Sequence, residues 1–380
     1  MRKTGVYRND LFLEHQPGVG HPESPERLRV IYEALDKENV AEHFLFPSFD
    51  PVSQDILRLN HSARLVDQVS ATQGQKYASL DADTHISARS YEAACLAAGA
   101  LVDGVARIDR GELDNAFCFV RPPGHHAEQD RAMGFCLFNN VALAAQWAIQ
   151  ELGMQRILIF DWDLHHGNGT QNSFYDTDKV FYISSHQYPF YPGTGFFVET
   201  GNKAGAGYTV NIPLSGGEGD MEYARIVNEL VLPVARTYKP ELILISCGFD
   251  IYDGDPLGGM QVTPAGFAWM TRQMLSVAEE VCNGKLLVTL EGGYNLTAMR
   301  DGSLDSCFHC SLSLLYPNQL CTVSGFIGSK TILSQQIHSQ LLILIKVHSC
   351  SGSLNKKLLP RKHKHGYRGN IITCSLIQTG

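Results

Sequence analysis

The strongest constraint on how this chain folds is an alternation. Six short runs rich in β-branched and aromatic residues, at 116–120, 156–161, 180–184, 208–212, 241–246 and 285–291, are interleaved with helical spacing at 91–108, 137–152, 221–238 and 264–282. Runs that are apolar on both faces suit strands covered on both sides, and the intervening helices supply that cover. The expected fold is therefore α/β, three layers deep, with a mostly parallel sheet and helices on both faces. Thr263 before Pro264 gives the last of these helices a side-chain cap and a ring already set for its first turn. No internal repeat is present.

Composition narrows the possibilities. A chain of 380 residues with 44% hydrophobic residues excludes disordered and collagen-like classes and is long enough to bury a deep core. No apolar run reaches the roughly 18 residues of a membrane span, and residues 1–10 are too polar for a signal-peptide core. The expected location is cytoplasmic, with a nuclear one open for a eukaryotic source; neither membrane nor direct nucleic-acid binding is expected. The ten cysteines stand singly, which predicts reduced thiols.

Charge divides the chain. From residue 303 onward Asp305 is the only acid against eight basic residues, and five of the ten cysteines fall there, whereas residues 1–302 are strongly acidic. The expected organisation is one catalytic-type domain over 1–302 and an atypical basic tail over 303–380, poorly ordered or an altered C-terminus. The basic cluster at 356–368 reads as a solvated end. Cys307 and Cys310 form a CxxC without the second pair that a zinc finger needs.

The reactive residues follow the strands. Arg-Pro-Pro-Gly-His125-His126 comes after 116–120, and Trp162-Asp163-Leu-His165-His-Gly-Asn168 after 156–161. Ser184-Ser185, Asp250 and Glu-Gly-Gly-Tyr294 close three later runs. In open parallel sheets the carboxyl edge is where ligand crevices form. Asp161, Asp163 and His165, two residues apart on an extended segment, are expected on one face, a donor set of oxygen and nitrogen suited to a metal. With Asp250, the set Asp163, His165 and Asp250 leaves a fourth position for water, the pattern of catalytic zinc. His125 and His126 suit a general base and acid, with Asp161 and Asn168 available to fix their tautomers. Tyr294, after two glycines, can bring its hydroxyl to a developing oxyanion.

Taken in order, RPPGHHA, DWDLHHGNGT, GFD, DPLGG and EGGYN, with HPESPERL at 21–28, resemble the zinc-dependent histone deacetylases of the arginase/deacetylase fold, most closely the class II type and its bacterial relatives. The resemblance covers roughly residues 4–301. It implies one zinc ion held by Asp163, His165 and Asp250, with His125, His126 and Tyr294 catalytic, Asp161 behind His125 and Asn168 behind His126. The implied reaction is hydrolysis of an acetyl-lysine amide by metal-activated water, releasing acetate and lysine. It also implies potassium beside Asp161, Asp163, His165, Ser184 and Ser185, and a second monovalent cation near Phe174, Thr177, Val180 and Tyr208. Gly134, Phe135 and Tyr191 match the wall of the acyl channel, Leu257 lies in DPLGG, and Asp81 or Asp83 matches the rim residue that grips substrate. An acetylated protein or peptide is the implied substrate. Acetylpolyamine is the alternative, which the apolar Leu257 disfavours. A non-catalytic acyl-lysine binding module is the alternative of another class. Relatives continue past residue 301 with a helical segment, whereas this chain changes composition there.

Overall fold

The computed structural model describes residues 2–311. Its strands, in chain order, are β1 (Thr4–Tyr7), β2 (Ala78–Ser79), β3 (His85–Ile86), β4 (Asn115–Cys118), β5 (Ile157–Asp161), β6 (Val180–Gln187), β7 (Thr209–Leu214), β8 (Leu242–Cys247) and β9 (Leu286–Leu290). The short β2 and β3 pair antiparallel. The other seven form one parallel sheet in the order β1-β4-β9-β8-β5-β6-β7. Every residue of β4, β5, β8 and β9 is buried, as expected for strands with helices on both faces.

Three expected helices form: Ser90–Asp109 and Asn140–Glu151 with ends shifted by one to three residues, and Pro264–Cys282 with the expected ends. In the last, the Thr263 hydroxyl accepts from the Gly266 N–H at 3.3 Å. The expected helix at 221–238 is interrupted, running as Asp220–Ile226, a π turn over Val227–Val231 and Leu232–Tyr238. Pro233 sits just past the π turn, and its missing N–H and bulky ring are accommodated by widening the preceding turn.

Several elements escaped the pattern, among them the helices Glu26–Leu35, Ala63–Ser70 and Asn168–Phe174, and two others show why. β1 is four residues long and contains Gly5, too short for a periodic signal. Its outer edge is covered by Leu45, whose carbonyl accepts from Val6 N–H at 2.7 Å and whose N–H donates to Thr4 at 2.9 Å. The second is the helix Leu296–Ser311, which packs against Glu26–Leu35 and Pro264–Cys282. The boundary drawn at residue 302 falls inside it. Its inner face is small and polar as well as apolar, burying Ser303, Ser306, Cys307 and Cys310 alongside Met299, and the Cys310 carbonyl accepts from Asn115 Nδ2 at 3.1 Å. The composition change therefore begins within a packed element. Residues 312–380, with the rest of the basic tail, lie outside the described residues. The seven described cysteines are all free, and among the described residues no helix is long and apolar enough to cross a membrane.

The sheet order creates a switch point. From β5 the chain moves outward through β6 and β7, then returns to the other side of β5 as β8. A crevice opens at the carboxyl ends of such strands. One wall of it, the loop 127–139, is fastened by the buried His61. Its Nε2 accepts from the Asn139 N–H at 2.9 Å, so the proton sits on Nδ1 and donates to the Glu128 carbonyl at 2.9 Å. Burial lowers this imidazole to about 4, the Glu128 carbonyl recovering only part of the shift. The unfolded imidazole takes up a proton near 6.5 that the folded one refuses, so the contribution is full above 6.5 and is lost as pH falls towards 4. The stability difference between the wild type and His61→Gln, from urea unfolding, is expected to shrink over that interval. A difference independent of pH would contradict it.

Candidate active site

β5 ends at Asp161, and extended geometry ends with it. The expected alternation therefore fails. Asp163 and His165 turn towards Asp250, beyond the end of β8, and ligand atoms of these three buried residues lie within 4.8 Å of one another. Asp161 faces elsewhere. His165 Nδ1 is 3.2 Å from Asp163 Oδ1 and 3.2 Å from Asp250 Oδ2. Main-chain donors hold the carboxylates in place: Gly292 N–H on Asp163 Oδ2 at 2.7 Å and Leu164 N–H on Asp250 Oδ1 at 2.9 Å. Gly292 admits no side chain, because a Cβ there would run into both carboxylates. Burial and the neighbouring Asp163 push Asp250 up to about 7. Burial would lower His165, but Asp163 and Asp250 outweigh it and raise the imidazole to about 9. Two buried carboxylates and an imidazole, converging with nitrogen and oxygen donors, fit a divalent metal ion.

The tandem histidines stand beside this cluster. His125 Nδ1 donates to Asp161 Oδ2 at 3.1 Å, and Asp161 also accepts from the Tyr182 hydroxyl at 3.0 Å. His126 Nδ1 lies 2.8 Å from Asn168 Oδ1. The amide orientation follows from its other end, where Nδ2 donates to the Glu128 carboxylate at 2.5 Å. Both imidazoles thus carry a proton on Nδ1 and leave Nε2 as the second site. Burial would lower His125, yet Asp163, Asp161 and Glu291 raise it to about 10. Burial, His125 and His165 drive His126 well below its ordinary value. The two adjacent rings, 4.0 Å apart by centroids, are pushed in opposite directions, His125 towards the cation and His126 towards the neutral ring, the arrangement of an acid and a base.

Above them is a cavity of about 190 Å³ that His125, His126 and His165 face. Phe135, Phe190, Tyr191, Leu257 and Tyr294 supply its apolar wall. The Tyr191 ring stands edge-on to His126 at 5.1 Å, and Phe135 edge-on to Tyr294 at 6.1 Å. Gly134 (φ 58°) and Phe135 (φ 67°) both take the left-handed conformation, and a Cβ on Gly134 would sit 2.5 Å from His126 Cδ2. The two candidate rim acids separate. Asp83 lines the cavity and accepts from Gly134 N–H at 3.1 Å, whereas Asp81 is outside it, paired with Arg131 at 2.6 Å. Phe190 was not singled out in the sequence; its adjacency to Tyr191 was the available signal.

Sequence reasoning also missed why HPESPERL matters. Glu23, just before the helix Glu26–Leu35, and Arg27 in its first turn are wholly buried. Arg27 Nη1 donates to Glu23 at 3.0 Å, Nε donates to the Gly293 carbonyl at 2.6 Å, and the guanidinium lies 5.0 Å from the Tyr294 ring centroid. Arg121 Nη2 reaches Glu23 Oε2 at 2.8 Å and the His15 carbonyl at 2.9 Å. Burial alone would raise Glu23; Arg121 and His15 hold it well below the carboxylate range. The motif thus supports the turn that carries Tyr294.

The residues matched to monovalent cations occupy two places. Ser184 is in register with Asp161 across β5 and β6, and the buried Ser185 hydroxyl has no partner among the described residues. Phe174, Thr177, Val180 and Tyr208 cluster where the helix Asn168–Phe174 hands over to β6. There Thr177 N–H donates to Phe174 O at 3.3 Å, and Tyr182 N–H to Tyr208 O at 2.9 Å.

Comparison with known proteins meets this geometry. The family described as histone deacetylase domain matches residues 21–308. A probable deacetylase of Archaeoglobus fulgidus is 39% identical over 296 residues, 77% of this chain and 82% of the relative. Histone deacetylase 15 of Arabidopsis thaliana is 45% identical over 77% of this chain, which spans 53% of that longer protein. The crystal structure of the HDA15 HD domain superposes with a TM-score of 0.82 at 37% identity, over 94% of this chain and 99% of that one. The parallel sheet, its helical layers and its carboxyl-edge crevice are those of the arginase/deacetylase fold, and the chain belongs to the histone deacetylase family, whose members hydrolyse amides.

Proposed function

We propose that this chain is a zinc-dependent deacetylase that hydrolyses acetyl-lysine in a protein or peptide, releasing acetate and the lysine amine. The observation that carries the reading is the meeting of Asp163, His165 and Asp250 with one cationic and one neutral imidazole at one apolar cavity. A zinc ion on those three ligands would supply Lewis acidity towards the acetyl carbonyl and acidify a water. His126, neutral with Nε2 open, is the base that takes the proton from water. His125, held protonated by Asp161, is the acid for the departing amine. Positive charge at the ligands would weaken the field that raises His125 and bring its proton within reach of transfer. Tyr294 donates its phenolic hydrogen to the carbonyl oxygen as charge develops there. Phe135, Phe190 and Tyr191 suit the aliphatic lysine stem, Leu257 is an apolar residue where an acid would favour a polyamine, and Asp83 is placed to accept from substrate main-chain N–H groups. Potassium between Asp161, Ser184 and Ser185 would hold the end of β5.

The test is hydrolysis of a fluorogenic acetyl-lysine peptide beside acetylspermidine, after chelation and after zinc is returned. Zinc-dependent turnover favouring the peptide is expected; a folded, zinc-loaded protein that turns over neither substrate would support a binding module. Tyr294→Phe in the same assay is expected to lower kcat by roughly 10²–10³-fold with KM changed little. Unchanged kcat would remove Tyr294 from its role.

A further inference from the structure

We propose that Glu291 is a positioning residue for the histidine pair, fixing the main chain of His125 from beneath. The inference rests on the deacetylase reading above. Glu291 lies where the carboxyl ends of β8 and β9 meet the loop that follows β4. Its Oε2 accepts two successive main-chain donors, Gly124 N–H at 2.7 Å and His125 N–H at 3.1 Å, and its Oε1 accepts from the Ser246 hydroxyl at 3.1 Å. Its own N–H donates to the Cys247 carbonyl at 2.9 Å, and its carbonyl accepts from Arg27. The side chain is wholly buried and is no part of the cavity wall.

The sequence of the loop explains why one carboxylate is enough. Pro122 and Pro123 have no N–H, so Gly124 and His125 carry the only main-chain donors between Arg121 and His126. Glu291 takes both. The His125 carbonyl accepts from Thr170 N–H at 3.1 Å, and its ring Nδ1 is paired with Asp161 at 3.1 Å. Without the carboxylate, two buried donors lose their partner and the loop is free to move relative to the cluster. A displacement on the order of 1 Å is worth about 100-fold in rate.

Two substitutions separate geometry from charge. Glu291→Gln keeps the reach and an acceptor oxygen but loses the charge; Glu291→Asp keeps the charge and withdraws it by one methylene. Positioning predicts that Glu291→Asp lowers kcat on the acetyl-lysine peptide by about 100-fold with KM and zinc content nearly unchanged, while Glu291→Gln loses no more than about tenfold. In the ¹H–¹⁵N spectrum of histidine-labelled protein, the His125 Nδ1–H signal is expected to shift further in the Asp variant than in the Gln variant, which loses only the weakest of the three carboxylate fields on that ring. Wild-type kcat with an unchanged imidazole signal in Glu291→Asp would overturn the proposal, as would a Gln variant weaker than the Asp variant. If the wild type itself shows no turnover, the deacetylase reading fails, and the imidazole signals still decide the role of Glu291.

Discussion

Replacing Glu23 with alanine is expected to cost about 3–5 kcal/mol of folding stability, the usual penalty for stranding buried charge. Both oxygens are engaged: Oε1 by Arg27 at 3.0 Å and by Arg121, Oε2 by Arg121 at 2.8 Å and by His15 at 3.3 Å. Two guanidinium groups would lose their shared counter-charge in a site without solvent. The residual Arg27 would also hold the Gly293 carbonyl and the Tyr294 ring less firmly. Thermal unfolding of the metal-loaded protein is the direct measurement, with a midpoint lowered by roughly 10 °C expected. An unchanged midpoint would mean that the two arginines find other acceptors.

Asp250→Asn is expected to act in the opposite way, on metal and turnover without loss of fold. Removing one ligand of three should cut turnover on the acetyl-lysine peptide on the order of 10³-fold or more, since the ion contributes several kcal/mol to the transition state. Asparagine retains an oxygen for the Leu164 N–H. The metal-free variant should therefore melt no lower than the metal-free wild type at pH 8. Above about 7 the wild-type Asp250 is ionised against Asp163, and its raised value makes that a destabilising contribution which asparagine removes. Added zinc should then raise the wild-type midpoint far more than that of the variant. Equal shifts in the two proteins would place the ion elsewhere.

How much of this could be read from the chain depends on the range over which each residue acts. The buried strands announced themselves as apolar runs, and Asp163, His165, Asp250 and the His125–His126 pair stood out because strand ends gather ligand-binding groups. The helix Leu296–Ser311 did not, since Ser303, Ser306 and Cys310 make a close-packed inner face without an apolar stripe. Spacing alone put Asp161 on the face of Asp163, because alternation holds only while the strand lasts, and it was the need of His125 for a tautomer partner that set Asp161 apart. Glu23, Arg121 and Arg27 were unreadable for a different reason. Their partners lie far along the chain, as Arg121 does from Glu23 and Gly293 from Arg27, and nothing local marks a charge that will be buried.

The central place of β9 has a consequence for synthesis. β4 pairs with β1 and β9, and β8 pairs with β5 and β9, so β9 is the one strand joining two ribbons, β1-β4 and β8-β5-β6-β7. The histidine pair follows a strand of the first ribbon, and the three candidate ligands follow strands of the second. As the nascent chain leaves the ribosome, both ribbons precede the strand that unites them. The histidine pair and the three candidate ligands are therefore joined across one sheet by the same late segment that delivers Glu291 and Tyr294.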